Sequence, residues 1–138
     1  FAAILEKKKT FTIIEEPEAH LFPVAQKDVI NLISLMISST KSKVIITTHS
    51  PYILTSANIL LFSDKVENRH TRSNKTVIPK NLRVSYEHFA AYKVDSSEKR
   101  LESLLDEKSH MINTNYIDEV STITNNELEE LITMEIDQ

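Results

Sequence analysis

The chain has 138 residues, a formal net charge of −4, 41% hydrophobic and 26% charged residues, and neither cysteine nor glycine. That length suits one domain with a core of its own, and the composition is that of an ordinary globular protein. The lack of cysteine excludes a disulfide framework and a thiolate metal centre. No run approaches the ~20 apolar residues that span a bilayer, and Phe1 to Glu6 does not read as a signal peptide, so a cytoplasmic protein is expected.

Phe1 to Glu6 reads as the end of a helix, with Lys7, Lys8 and Lys9 well placed against its carboxyl-terminal dipole. Three lysines are also a small footprint for nucleic acid, but the helix end accounts for them. Thr10 to Ile14 is a β-branched and aromatic run, which predicts a strand buried on both faces, as in a parallel sheet. The chain then changes character: Glu15, Glu16 and Glu18 fall within four positions, His20 lies just beyond, and Pro17 prevents the strand from continuing. An isolated Glu-Glu pair is usually solvated. Clustered carboxylates repel one another unless something cationic stands between them.

Pro23 to Ser39 carries apolar residues at Val29, Ile30, Ile33, Met36 and Ile37, the spacing of a helix with one buried stripe, and Pro23 suits its first turn. Lys43 to Thr48 is a second short apolar strand, ending in His49-Ser50-Pro51. Strand, helix, strand predicts a right-handed βαβ crossover with both strands in one parallel sheet. The carboxylates and His49 then emerge at the same carboxyl-terminal edge, where open α/β sheets bind ligands.

Downstream, Pro51 to Ser56 predicts a short helix and Asn58 to Phe62 a further strand. Lys65, Arg69, His70, Arg72, Lys75 and Lys80 form a locally basic stretch. Such a stretch suits backbone phosphates, though without interleaved aromatics it reads first as a solvated loop. Residues 1–80 carry a net charge of +4 and residues 81–138 one of −8, which argues against the tail lying on nucleic acid. His88 to Val94 and Leu101 to Leu105 predict a hairpin, Asn113 to Val120 a short helix, and Thr124 with Glu127 a capping box opening a final helix.

The stretch Ile-Ile-Glu-Glu-Pro-Glu-Ala-His-Leu-Phe-Pro at 13–23 resembles the Walker B motif and D-loop of ABC-type P-loop ATPases, and Ile-Ile-Thr-Thr-His-Ser-Pro at 45–51 resembles their switch-histidine motif. Glu-Pro-Glu-Ala-His-Leu followed by Thr-His-Ser-Pro-Tyr-Ile-Leu is most similar to the ATPases grouped with OLD, RecF and SMC proteins, including those of retron-associated and Septu-type defence systems. Phe89 to Tyr92, Leu105 to Glu107, Ile112-Asn113 and Tyr116 to Val120 resemble the carboxyl-terminal extension of that subgroup.

The resemblance implies an α/β fold: the carboxyl-terminal lobe of a P-loop NTPase over residues 1–62, then a small α+β extension over 63–138. It implies ATP and Mg²⁺ as cofactors. Glu15 aligns with the acid that holds the Mg²⁺ hydration shell, Glu16 with the carboxylate that orients the attacking water, and His49, followed by Ser50, with the histidine that contacts the γ-phosphate. Pro17, Glu18, Ala19, His20 and Leu21 align with the D-loop, which in this class lies across the interface of an ATP-dependent head-to-tail dimer. What such a motor acts on, nucleic acid or a partner protein, is left open.

Two departures bear on this reading. Glu15 stands where the family's usual acid is Asp, one methylene shorter, and Mg²⁺ is exacting about geometry. A chain without glycine also lacks the Gly-x-x-x-x-Gly-Lys-[Ser/Thr] phosphate loop and the glycine-bearing signature motif. The chain therefore reads as the carboxyl-terminal part of a longer ATPase, inactive by itself. The alternative is a non-catalytic dimerisation or interaction module with a degenerate ATPase site. A metal-dependent nuclease built from Glu15, Glu16, Glu18, His20 and His49 is disfavoured because the tail offers no Asp-x-Asp and no glycine-bearing acidic motif. Serine hydrolase chemistry at Ser50 is disfavoured because Pro51 has no N–H for an oxyanion.

Overall fold

The computed structural model describes residues 6–69, 76–95 and 99–114. Strand β1 (Phe11–Glu15) and strand β2 (Lys43–Thr47) pair in parallel, with Phe11 opposite Lys43 and Glu15 opposite Thr47. Backbone bonds from Lys43 N–H to Thr10 O (2.9 Å) and from Glu16 N–H to Thr47 O (2.8 Å) carry the ladder one step past each end. Helix α1 (Pro23–Thr40) connects the strands, as its apolar spacing predicts. Its start is set by extended Phe22 and by Pro23 in the first turn, and its end by Lys41, a left-handed residue (φ 55°) whose N–H bonds Ile37 O at 2.8 Å. Beneath the strands, Ser42 Oγ accepts the Thr10 N–H at 2.9 Å and lies 2.5 Å from Thr40 Oγ1, fastening the helix end to the start of β1.

The core gathers Ile30 and Ile33 of α1 with Ile53 and Leu60 of helix α2 (Pro51–Arg69), and Ile14, Val44 and Ile46 from the inner face of the strands pack against them. The outer face is open: Phe11 is 65% exposed, Ile13 60% and Ile45 48%. The expected burial on both faces is thus corrected, because among the described residues helices cover one side of the pair only.

Helix α2 overturns the expectation of a short helix followed by a strand at Asn58 to Phe62. Ser50 and Pro51 open one helix that runs on through Arg69 and crosses position 62. Ile53, Ser56, Leu60 and Leu61 are buried along it, the 3–4 residue recurrence of a helical face. The run Ile59 to Phe62 is the part of this helix where neighbouring faces are both apolar, so it carries no period of two.

The segment after the undescribed residues 70–75 returns to the core. Short 3₁₀ turns form at Lys80–Leu82 and Tyr86–His88. Ser34 Oγ donates to Leu82 O (2.7 Å) and Ser38 Oγ to Asn81 O (2.7 Å), so α1 holds the first turn through its own hydroxyls. The predicted hairpin is present as β3 (Tyr92–Asp95) and β4 (Arg100–Ser103), antiparallel, with shorter strands than expected because the chain at His88 is in the 3₁₀ turn. A smaller antiparallel pair follows, β5 (Leu105–Asp106) and β6 (Met111–Ile112). The helix expected from 124 falls outside the described residues, as does that expected over 113–120 apart from Asn113 and Thr114, which are not helical, and that expected at 1–6 apart from Glu6. Among the described residues no helix is long and apolar enough to cross a membrane.

Asn58 ties this tail to α2. Its Nδ2 donates to Ile112 O at 3.0 Å while its Oδ1 accepts the Ile112 N–H at 2.7 Å, so one amide side chain replaces a strand partner. Asn58→Ala leaves both groups of a buried residue without those bonds and should cost about 1–3 kcal/mol. Chemical denaturation measures this, with faster amide exchange at Ile112 as its local signature.

Candidate functional site

The site lies at the carboxyl-terminal edge of β1 and β2. Glu15 closes β1 on the same open face as Phe11 and Ile13, opposite Thr47, and is exposed. At Glu16 the backbone turns left-handed (φ 45°), and His20 is left-handed again (φ 65°). Such conformations cost a residue with a Cβ roughly 1–2 kcal/mol. Between them Ala19 N–H bonds Glu16 O and Leu21 N–H bonds Glu18 O, both at 2.9 Å, making two consecutive tight turns over Pro17 to Leu21. The left-handed Glu16 breaks the alternation of β1, and its Oε1 comes within 3.4 Å of His49 Nδ1. Both side chains are open to solvent, at 55% and 77% exposure.

Glu18 behaves differently from its two neighbours: it is 6% exposed. Its Oε1 accepts the Thr48 hydroxyl at 2.5 Å and the His49 N–H at 3.2 Å, and lies 4.0 Å from His49 Nδ1. Its Oε2 has no hydrogen-bond partner among the described residues. Burial pushes the Glu18 carboxyl up, but the Thr48 hydroxyl, the N–H groups of Glu18 and His49 and the nearby imidazole together outweigh it and hold the group below its ordinary range.

Thr48 Oγ1 in turn accepts the Ser50 N–H at 3.0 Å. Ser50 Oγ donates to Gln26 Oε1 at 2.6 Å and accepts the Tyr52 N–H at 3.2 Å, so it both caps α2 and reaches α1. Gln26 Nε2 donates to Leu21 O at 2.9 Å, which returns the chain of bonds to the turn that carries Glu18. Glu18, Thr48, Ser50, Gln26 and Leu21 thereby form a closed hydrogen-bonded ring. Its orientation is fixed by chemistry, since Leu21 O can only accept and the Gln26 amide must present its nitrogen there.

The structure thus brings Glu16, Glu18, His49 and Ser50 together and leaves Glu15 beside them on the open face. Pro17 is half-buried, whereas Ala19 and His20 are exposed. Leu21 is exposed and Phe22, next to it, more so, which gives the turn an apolar outer rim. Thr48 and Gln26 were not among the residues singled out from the sequence. Gln26 had a readable signal, a polar residue on the stripe of Ile30, Ile33 and Ile37; Thr48 had none.

Among the described residues no cluster of three or more His, Cys, Asp or Glu is placed to hold a metal. Glu15 and Glu16 nonetheless offer exposed carboxylate oxygens, and Mg²⁺ commonly takes one or two carboxylates and completes its shell with water and phosphate. The basic stretch is partly committed to the fold, as Lys65 Nζ donates to Lys108 O (2.7 Å) and Ser109 O (2.9 Å).

Residues 1–54 match the family model of the AAA ATPase domain. That span contains β1, the carboxylate turn, α1, β2 and the His49 loop, and the match supports an AAA-type ATPase. No curated protein and no solved structure matches the chain.

Because Glu18 titrates lower in the folded chain than in the unfolded one, its ionised form favours the fold. That contribution is complete above the ordinary value of 4.5 and drains away as pH falls through the depressed folded value. Glu18→Ala should be less stable than the parent by about 2 kcal/mol at pH 7, the scale of hydrogen bonds to a charged group. Denaturant titrations at pH 7 and pH 3 should show the gap narrowing at the lower pH.

Proposed function

We propose that this chain supplies the Walker B and switch-histidine half of an ABC-type ATPase site, within a longer protein that binds and hydrolyses ATP. The observation that carries this is the 3.4 Å approach of the Glu16 carboxylate to the His49 imidazole at the carboxyl edge of a parallel pair, inside the segment that matches the AAA ATPase domain. A carboxylate and an imidazole, both solvent-accessible, are what in-line attack on a γ-phosphate requires of a protein that otherwise works by positioning and electrostatics.

In this reading Glu16 accepts a hydrogen bond from the attacking water and aims it. His49 turns Nδ1 towards Glu16 and keeps Nε2 for the γ-phosphate, with Ser50 beside it. Glu15 would hold Mg²⁺, which when bound would supply charge neutralisation to the phosphates. Phosphate cradle and signature motif come from outside this chain, and the exposed side of the turn from Pro17 to Leu21, at Ala19, His20 and Leu21 with the apolar rim of Leu21 and Phe22, faces a second subunit in an ATP-dependent dimer.

In the intact protein, Glu16→Gln should lower ATP turnover by at least about 100-fold, the scale of general-base catalysis, while leaving nucleotide binding in place. His49→Ala should lower it by about 100–1000-fold. Steady-state phosphate release and equilibrium binding of a fluorescent ATP analogue separate the two effects. Unchanged turnover in Glu16→Gln would sink its assignment as the water-orienting group. An intact wild-type protein that hydrolyses no Mg-ATP would leave a dimerisation or interaction module with a degenerate site, the outcome that Glu in place of Asp at position 15 favours.

A further inference from the structure

We infer that Glu18 is the positioning residue of this site: its buried carboxylate anchors the His49 loop to the carboxylate turn and so sets the separation between Glu16 and His49. The inference rests on the reading of those two residues given above, and it assigns Glu18 a task within its own chain rather than towards a second subunit.

The His49 ring is 77% exposed, so packing does little to hold it, and its place is governed by the backbone that carries it. That backbone is tied to one atom. Glu18 Oε1 takes the His49 N–H directly, takes the Thr48 hydroxyl, and through Thr48 Oγ1 reaches the Ser50 N–H, so three consecutive residues refer to a single oxygen. Glu18 is also two residues from Glu16, in a turn locked by the Ala19-to-Glu16 and Leu21-to-Glu18 backbone bonds. Both partners of the 3.4 Å approach are thus measured from the same residue.

A carboxylate suits this task because two donors converge on one oxygen, and charge-assisted bonds are shorter and stronger than neutral ones. The rest of the ring supports the anchor: Ser50 Oγ and Gln26 brace the far side of the loop against α1 and return to Leu21. What Glu18 requires of the side chain is one acceptor oxygen held at a fixed depth. Glutamine provides that oxygen and alanine does not.

The test compares wild type, Glu18→Ala, Glu18→Gln and Thr48→Val in the intact protein, by hydrogen exchange and by ATP turnover. Loss of the anchor should speed exchange of the residue 48–50 amides by about 10-fold or more in Glu18→Ala and Thr48→Val, with the amides around Ile33 unchanged. Glu18→Gln keeps the acceptor oxygen but loses the charge and sets an amide NH2 at the unpartnered Oε2 position, so it should exchange faster than wild type and at least about 3-fold more slowly than Glu18→Ala. Turnover should follow the same order: kcat down about 10-fold in Glu18→Ala and Thr48→Val, KM within about 2-fold, a Glu18→Ala/Thr48→Val double variant no worse than Glu18→Ala alone, and Glu18→Gln restoring part of the loss.

Unchanged exchange at 48–50 in Glu18→Ala overturns the anchor, and faster exchange with unaltered kcat overturns its link to the reaction. A Glu18→Gln as damaging as Glu18→Ala in both readings shows that an acceptor oxygen at that depth anchors nothing, and overturns the inference too. Should Glu18→Ala fail to fold, Glu18→Gln and Thr48→Val decide by the same readings. Absence of turnover in wild type removes the ATPase reading alone, and exchange then judges the anchor by itself.

Discussion

Everything at the site depends on the parallel pairing of β1 with β2. Parallel strands cannot be joined by a tight turn, so the chain must cross back over the sheet, and the 18 residues of α1 do this while burying Ile30 and Ile33 against the inner strand faces. The pairing puts Glu15 opposite Thr47 and continues through the Glu16 N–H bond to Thr47 O, so the two polar exits of the strands start side by side. An antiparallel arrangement would have sent the carboxylates and His49 to opposite ends of the sheet.

Once the exits are adjacent, their precise approach is a matter of backbone conformation in a chain without glycine. Six described residues with side chains take positive φ, among them Glu16 and His20 at either end of the carboxylate turn and Lys41 at the end of α1. Glu16 and Lys41 are bonded in place, Glu16 by the ladder and the Ala19 N–H and Lys41 by the Ile37 carbonyl. At Glu16 the left-handed turn has a chemical consequence, since it takes the side chain off the inner face of Thr12 and Ile14, where alternation would put it, and towards the imidazole. The cost of the conformation and the placement of the carboxylate have the same origin.

Much of this was legible in the sequence. Two β-branched runs and an intervening 3–4 residue stripe announced β1, α1 and β2, and the carboxylate cluster and His49 were placed at one edge from topology alone. Other features were not legible, for physical reasons. Four contiguous apolar residues at Ile59 to Phe62 have no intrinsic period, and only a helix start set by Ser50 and Pro51 decides that they are helical. Whether Phe11, Ile13 and Ile45 are covered depends on what lies outside β1 and β2, which a β-branched run cannot report. The late start of the hairpin reflects a 3₁₀ turn at Tyr86–His88 that no turn dipeptide advertises.

The carboxylate cluster shows the deepest limit of such a reading. Glu15, Glu16 and Glu18 are one residue type within four positions, and their mutual repulsion suggests a shared cation. The fold instead separates them by environment. Glu15 stays on the open face of the strand, Glu16 turns towards an exposed imidazole, and Glu18 goes inside to donors supplied from 30 and 31 residues away by Thr48 and His49. An ionised group can be buried there because its hydrogen bonds outweigh desolvation, and those bonds exist only once the strands have paired. Sequence proximity made the three carboxylates look alike, whereas long-range contacts make one of them part of the frame and leave the other two free to meet a ligand.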